Sequence, residues 1–176
     1  MSCALNAGRL EPCKDSVAGI RAVLFLNYDG DLTDTLTIVD EEITANSALT
    51  TAYRYELKGA NSFDEANENS RENGTSFWNG TGTFAFKKQS LASQKEMRLL
   101  SYGRPHIILE YYNGDYRLIG LKNGAECAVN TASGAAMGDF IGYNVTATTT
   151  EATMGLYVAS SLIGHASAGF AITEGT

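Results

Sequence analysis

The chain has little proline, histidine and cysteine, and it lacks any long apolar run. Of its 176 residues two are Pro, two are His and three are Cys. No stretch approaches the roughly 20 apolar residues that span a bilayer. The first 20 residues also lack the charged head and apolar core of a signal peptide. We therefore expect no membrane segment and no secretory leader.

The three cysteines are Cys3, Cys13 and Cys127, and they form no CxxC pair. An odd number without such a pair predicts neither a disulfide framework nor a zinc site. A disulfide between Cys3 and Cys13 is an alternative if the N-terminal segment folds back. Free thiols are the expectation for a protein made in a reducing cytoplasm.

Residues that could support catalysis or bind a metal are sparse. His106 and His165 lie far apart in the chain, with neither a triad-like neighbour nor HExxH spacing. Asp29-Gly30-Asp31 is typical of an Asx turn, because the further oxygen ligands of a calcium loop are missing. The glycines between 134 and 142 do not have the spacing of a phosphate-binding loop. The sequence predicts no enzyme activity, no cofactor and no metal.

The net charge of −7 argues against binding of nucleic acid through a basic surface. An acidic surface also suits a protein that DNA passes without being held. The alternative explanation of the same net charge is a modest acidity that only keeps the protein in solution.

Short β-strands dominate the predicted secondary structure. Eighteen glycines against two prolines indicate many turns. Residues 21–28 form a continuous apolar run typical of a strand buried on both faces. Residues 32–43, 50–59 and 140–150 alternate with a period of two, as half-buried strands do. The pair 105–112 and 116–121, joined by Asn-Gly-Asp, predicts a hairpin.

One segment has the composition of a helix. Residues 90–102 contain helix formers and no β-branched residue, with Ser90 as N-cap and Gly103 and Pro105 as stop signals. Its candidate core stripe consists of Leu91, Ala92, Met97, Leu99 and Leu100.

We expect residues 1–176 to form a single domain. Two segments lie outside its regular pattern of strands and helix. Residues 1–20 are small and polar, which predicts an extended N-terminal arm. Residues 60–83 are polar and rich in Asn and Gly, which predicts a long loop or hairpin with Asn73-Gly74 and Asn79-Gly80 as candidate type I′ turns.

The order of motifs from Leu91 to Glu151 resembles that of bacteriophage tail-tube proteins. A helix with Met97-Arg98-Leu99-Leu100 precedes the hairpin, and a small-residue loop then leads into Gly138-Asp139-Phe140-Ile141-Gly142-Tyr143. A Thr-rich strand, Thr146 to Glu151, follows. The opening phrase of the chain, residues 8–20, also resembles that of virion proteins. Glu151 lacks the proline that commonly follows it in that family, which leaves a stopper or tail-terminator role open.

The resemblance implies a mainly β fold: an antiparallel β-sandwich or partial barrel with one flanking α-helix at about residues 90–102. It further implies a ring, commonly a hexamer, around a DNA channel in a phage tail or neck. The partners would be other copies and other virion proteins, with DNA as passing cargo. The protein would be made in the host cytoplasm and reside in the virion.

Exposed strand edges independently favour assembly, because an open edge must be covered or paired. Ten residues are candidates for contact between subunits: Asp64, Glu65, Glu68, Phe77, Trp78, Lys87, Lys88, Arg98, Asp139 and Tyr143. The alternative function is a surface-exposed β-sandwich that binds a receptor or carbohydrate. Phe77, Trp78 and Tyr111 would then stack on sugar.

Overall fold

A computed structural model describes residues 7–164 and 169–174, apart from the side chain of Leu49. Cys3, His165 and residues 1–6 of the predicted arm lie outside the described residues. The described strands and helix are β1 (Ile20–Leu26), β2 (Leu36–Val39), β3 (Glu42–Asn46), β4 (Leu49–Glu56), β5 (Ser62–Ser70), β6 (Thr75–Lys87), α1 (Leu91–Tyr102), β7 (His106–Tyr111), β8 (Tyr116–Ile119), β9 (Ala125–Ala132), β10 (Gly142–Glu151), β11 (Leu156–Val158) and β12 (Gly169–Glu174). Two short 3-10 turns cover Leu32–Asp34 and Ser160–Leu162. The predicted mainly β fold with one α-helix is confirmed over these residues.

Eight strands form one large sheet in the order β12-β4-β1-β7-β8-β11-β3-β2. One of its inner strands, β1, is apolar on both faces, and both faces are covered. Val23 and Phe25 belong to one core, and Leu24 and Leu26 to another. Most neighbouring strands are antiparallel, while β12 runs parallel to β4 and β11 parallel to β3.

The large sheet curls into a partial barrel. All eight of its strands send side chains into a single apolar cluster, from Leu36 on β2 to Phe170 on β12. The two ends of the sheet also approach each other, since Asn46 Nδ2 on β3 donates to the Gly169 carbonyl on β12 at 3.4 Å. One continuous core bounded by every strand requires this curvature.

Ion pairs lie at one end of the barrel and join three of its strands. Arg54 Nε on β4 donates to Glu110 Oε2 on β7 at 2.9 Å, and Arg54 Nη1 lies 3.4 Å from Glu174 Oε1 on β12. The Glu110 carboxylate holds the pKa of the Arg54 guanidinium above its usual range. The charges therefore tie β12 to the centre of the sheet.

A second sheet of four antiparallel strands, β5-β6-β10-β9, packs against the outside of the barrel. Phe84 and Phe86 on β6 and Val145 on β10 point into the shared core, which also contains Val23 and Phe25. Tyr143, Val145 and Ala147 are all buried there, as the period of two predicts. The two layers make a sandwich, one layer of which is the barrel wall.

Two predictions about these strands and the helix are wrong. Residues 32–43 are not one strand: a 3-10 turn precedes β2, and Asp40 and Glu41, with φ of 50° and 64°, reverse the chain into β3. The predicted core stripe of α1 is mostly exposed, because only Met97 is buried while Leu91 and Leu99 are 74% and 61% exposed. The helix lies against β9 along a narrow strip. Over the described residues, no helix has both the length and the apolarity to cross a membrane.

Candidate assembly surface

The β5–β6 hairpin extends past the rest of its sheet. β5 pairs with β6 along its whole length, from Ser62 opposite Thr83 to Ser70 opposite Thr75. β10 pairs with β6 only as far as Trp78. Beyond that residue no other described strand lies beside the hairpin, which turns at residues 71–74, where Gly74 has a φ of +64°.

The second candidate turn in this segment, Asn79-Gly80, is wrong, because both residues lie within β6. A Cβ on Gly80 would come within 2.7 Å of the Phe63 ring and 2.5 Å of Thr149 Oγ1. Glycine is therefore required here by close packing rather than by a turn. Because the chain does not turn at Asn79-Gly80, β6 continues as one strand of 13 residues.

Glu65 anchors the hairpin to the barrel. Its side chain is only 7% exposed, and Arg117 Nη2 on β8 donates to Glu65 Oε2 at 2.6 Å. The Gly155 N–H donates to Glu65 Oε1 at 3.0 Å, and Arg117 Nε donates to the Gly155 carbonyl at 3.0 Å. These charge-assisted bonds fix the position of β5 relative to the barrel.

The small sheet ends in β5 on one side and in β9 on the other, and α1 lies along β9. β5 and β9 are its outermost strands, with nine and eight residues, and no described strand pairs with the outer side of either. The β5 edge therefore presents a row of backbone donors and acceptors that another chain can pair with. At the β9 edge the Ala125 N–H already donates to the Pro105 carbonyl at 2.8 Å. Edges this long are usually covered or blocked in a protein that stays monomeric.

The outward face of this sheet is polar and carries small side chains. It alternates with the buried face along each strand, so its members follow from the register. The residues are Ser62, Asp64, Ala66, Glu68, Phe77, Asn79, Thr81, Thr83, Ala85, Lys87, Glu126, Ala128, Asn130, Ala132, Asn144, Thr146, Thr148 and Thr150. We call this set the outer face.

Four of the predicted contact residues lie on the outer face. They are Asp64, Glu68, Phe77 and Lys87. Glu68 accepts a bond from Asn79 Nδ2 on the neighbouring strand at 2.5 Å.

The other six predicted contact residues are dispersed. Lys88 is exposed after β6, Arg98 is exposed on α1, and Asp139 lies in the β9–β10 loop. Trp78 is partly buried on the opposite side of β6 from Phe77. Glu65 forms a buried ion pair with Arg117, and Tyr143 lies in the core, where it is 3% exposed. Neither side chain is therefore available at the surface of the subunit.

Asp139 organises the loop that the tail-tube resemblance emphasises. Its Oδ2 accepts the N–H groups of Ala135 and Ala136, both at 2.8 Å. The same two bonds hold the pKa of the Asp139 carboxyl below its usual range. Asp139 therefore closes the loop within the chain, and the exposed tip carries Met137.

The aromatic residues of the alternative hypothesis do not form one stacking platform. Phe77 and Trp78 are consecutive in a strand, so their rings lie on opposite faces of the sheet. Tyr111 packs against the core between the two layers, and burial raises its pKa.

No family model, no curated protein and no solved structure matches this chain. Within residues 7–164 and 169–174, no three His, Cys, Asp or Glu side chains are placed to hold a metal ion together. The geometry that bears on function is therefore the small sheet, with its open β5 edge and its anchored hairpin.

Proposed function

We propose that the chain is a structural subunit that assembles into rings, as part of a phage tail tube or a related conduit of the neck or tail. One observation carries the proposal: β5, a strand of nine residues, ends the small sheet with no described strand on its outer side, and β9, of nearly equal length, ends it on the other side. In a ring, β5 of one copy would pair with β9 of the next, which requires α1 to move away from β9, and no edge would then stay open.

The strand directions support this pairing. Each neighbour within the order β5-β6-β10-β9 is antiparallel, so β5 and β9 run in opposite directions. A copy placed beside the first in the same orientation therefore brings an antiparallel partner to the edge. The hydrogen-bond pattern of the sheet would continue unchanged from copy to copy.

The dimensions suit a channel for DNA. Six copies of a four-stranded sheet would close a barrel roughly 48 Å across between backbones, from a strand spacing of about 4.8 Å and a tilt of about 40°. Side chains about 5 Å long on each side leave roughly 38 Å. This opening is wide enough for a DNA duplex.

The outer face would line that channel, because the large sheet covers the opposite face. Its small polar residues, with Asp64, Glu68 and Glu126 against Lys87 as charged groups, give a weakly acidic wall. Such a wall does not retain phosphates. DNA would be cargo rather than a bound ligand.

Two proline variants in β5, Ala66→Pro and Asn67→Pro, test the pairing. Successive N–H groups point to opposite sides of a strand, so one proline removes a donor from the free edge and the other removes a donor that pairs with β6. We expect wild type to form rings in negative-stain images and by mass. The edge-facing proline should abolish rings and leave the thermal midpoint nearly unchanged, while the other should lower the midpoint.

Two results would refute the proposal. One is a wild-type protein that stays monomeric at high concentration. The other is full ring formation by both proline variants, which would show that the β5 edge is not part of the contact.

A further inference from the structure

α1 lies along the outer edge of β9 and is fastened at both ends of that strand. At one end Gln89 Nε2, just before the helix, donates to the Ala132 carbonyl at 2.9 Å and to the Gly142 carbonyl at 3.2 Å. At the other end the Ala125 N–H donates to the Pro105 carbonyl at 2.8 Å. The helix therefore covers the edge that the proposed ring pairs with β5 of a neighbour.

Between these two ends α1 is loosely packed. Met97 is the buried side chain of the helix, while Leu99 and Tyr102 are 61% and 80% exposed. A cavity of about 570 Å³ lies between the helix and the ends of β1 and β4, and another of about 390 Å³ lies between the end of the helix and β9. With open space on two sides, few van der Waals contacts hold α1 in its place.

The larger cavity, which we call the groove, has space for an apolar side chain of the helix. Phe25 on β1 and Tyr55 on β4 form an aromatic floor, with ring centroids 5.5 Å apart, and Tyr53 contributes to a wall. Leu99 lines the groove and yet stays largely exposed. A shift of α1 toward the barrel would bury Leu99 against these rings, and burial of a leucine side chain is favourable.

The residues that flank α1 can serve as hinges. Lys88 lies between β6 and the helix with a φ of 67°, a left-handed conformation that a lysine adopts at a cost in free energy. Gly103 follows the last residue of the helix, and glycine permits large changes in backbone angles. Because both positions lie just outside the helix, α1 can move as one body.

We propose that α1 is a latch with two positions. In the closed position, which this structure shows, the helix covers β9. In the open position it pivots about Met97 into the groove, buries Leu99 and uncovers the β9 edge. The inference rests on the proposed ring, and it adds the step that keeps a free subunit from pairing too early. β5 of a neighbour selects the open position, because it can bind only there.

Chemical labelling of the Cys127 thiol measures opening of the latch in the free subunit. Cys127 lies on β9, is 7% exposed and lines the smaller cavity beside α1. In dilute protein with Cys3→Ser and Cys13→Ser it is the single thiol. Gln89→Ala removes two bonds that hold the latch closed, so Cys127 should react about fivefold faster. Gln94→Ala, which changes an exposed glutamine of the same helix, is the control and should react at the wild-type rate.

Leu99→Ala should shift the latch in the other direction. It removes the side chain that the groove receives, so Cys127 should react about tenfold more slowly. Leu91→Ala is the control, since Leu91 is similarly exposed on the same helix but lies outside the groove. A general loss of stability cannot explain a slower reaction, because unfolding exposes the thiol and speeds its labelling.

Imaging of the same variants at high concentration separates the latch from ring closure. We expect Gln89→Ala to form rings faster than its control and Leu99→Ala to form them more slowly. Equal labelling rates within either pair would overturn the latch, and rings that still form would leave edge pairing standing. Equal rates of ring formation within both pairs would also overturn it. The expected labelling rates in a protein that forms no rings would support the movement of α1 and refute the ring.

Discussion

His106 is a fully buried polar residue at the start of β7, 0% exposed. Its Nδ1 lies 2.5 Å from the Gly120 carbonyl, so this nitrogen carries the proton and donates. Its ring stacks on Tyr28 with centroids 5.1 Å apart, and no hydrogen-bond partner for Nε2 is found among the described residues. Burial lowers the pKa of His106, although the Gly120 carbonyl and the carboxylates of Glu151, Asp29 and Asp31 act in the opposite direction.

The lowered pKa of His106 predicts loss of stability in mild acid. Below a pH of about 6.5 the unfolded chain binds a proton that the folded chain resists. The free energy of unfolding should therefore be constant above that pH and fall below it, by at most about 1.4 kcal/mol per pH unit for one proton. Urea unfolding at several pH values between 7.5 and 5.5 measures this slope.

The control for this experiment is His106→Gln, whose amide can still donate to the Gly120 carbonyl. Its free energy of unfolding should vary less over the same range, whatever its absolute value. Identical slopes for the two proteins would show that His106 is not the titrating group.

At the scale of elements, the Gly138–Tyr143 segment shows how a loop sets the start of a strand. Asp139 closes the loop, and Tyr143 enters the core one residue after β10 begins. Between them, Gly142 lies so close to β6 that a Cβ would collide with the Phe86 carbonyl. The motif thus has a structural role within the chain, whatever the chain assembles into.

Gly142→Ala should destabilise the fold by about 1–3 kcal/mol, because the added methyl forces the β6–β10 pair apart. Gly138→Ala is the matched control, since a Cβ there meets no atom within 4 Å. Its stability should stay within about 0.5 kcal/mol of wild type. Thermal and urea unfolding of wild type and the two variants measure these changes in stability. An equal loss of stability in Gly142→Ala and Gly138→Ala would contradict the packing explanation.

At the scale of the whole molecule, protection of the backbone should differ sharply between the two sheets. β1 has a hydrogen-bonded strand on each side and a core on each face, whereas β5 and β9 each pair with a described strand on one side only. In the free subunit, amides of β1 should exchange with deuterium most slowly, and half of those in β5 should exchange fast.

Ring formation should change this pattern only at the edges. Mass spectrometry of assembled wild type against the edge-facing proline variant should show new protection in β5 and β9 and little change in β1. Unchanged exchange in β5 and β9 of the assembled protein would contradict edge pairing.

Much of the fold could be predicted from residues that act locally. The run of apolar residues in β1, the period of two in β10 and the Ser90 cap each depend on neighbours within a few positions, and each is confirmed. Turn chemistry is less decisive. Asn73-Gly74 turns the chain while Asn79-Gly80 does not, because a phenylalanine 17 residues away in sequence, Phe63, fills the space beside Gly80.

The sequence by itself determined that this protein is mainly β with one helix, because hydrophobic periodicity and capping are properties of short segments. Only the tertiary structure decided how the strands are shared between a large curled sheet and a small four-stranded one, and which edge stays open. It also decided that Leu99 is exposed and that Glu65 is tied to Arg117. These outcomes depend on contacts between residues far apart in the chain, and packing of the whole molecule decides them.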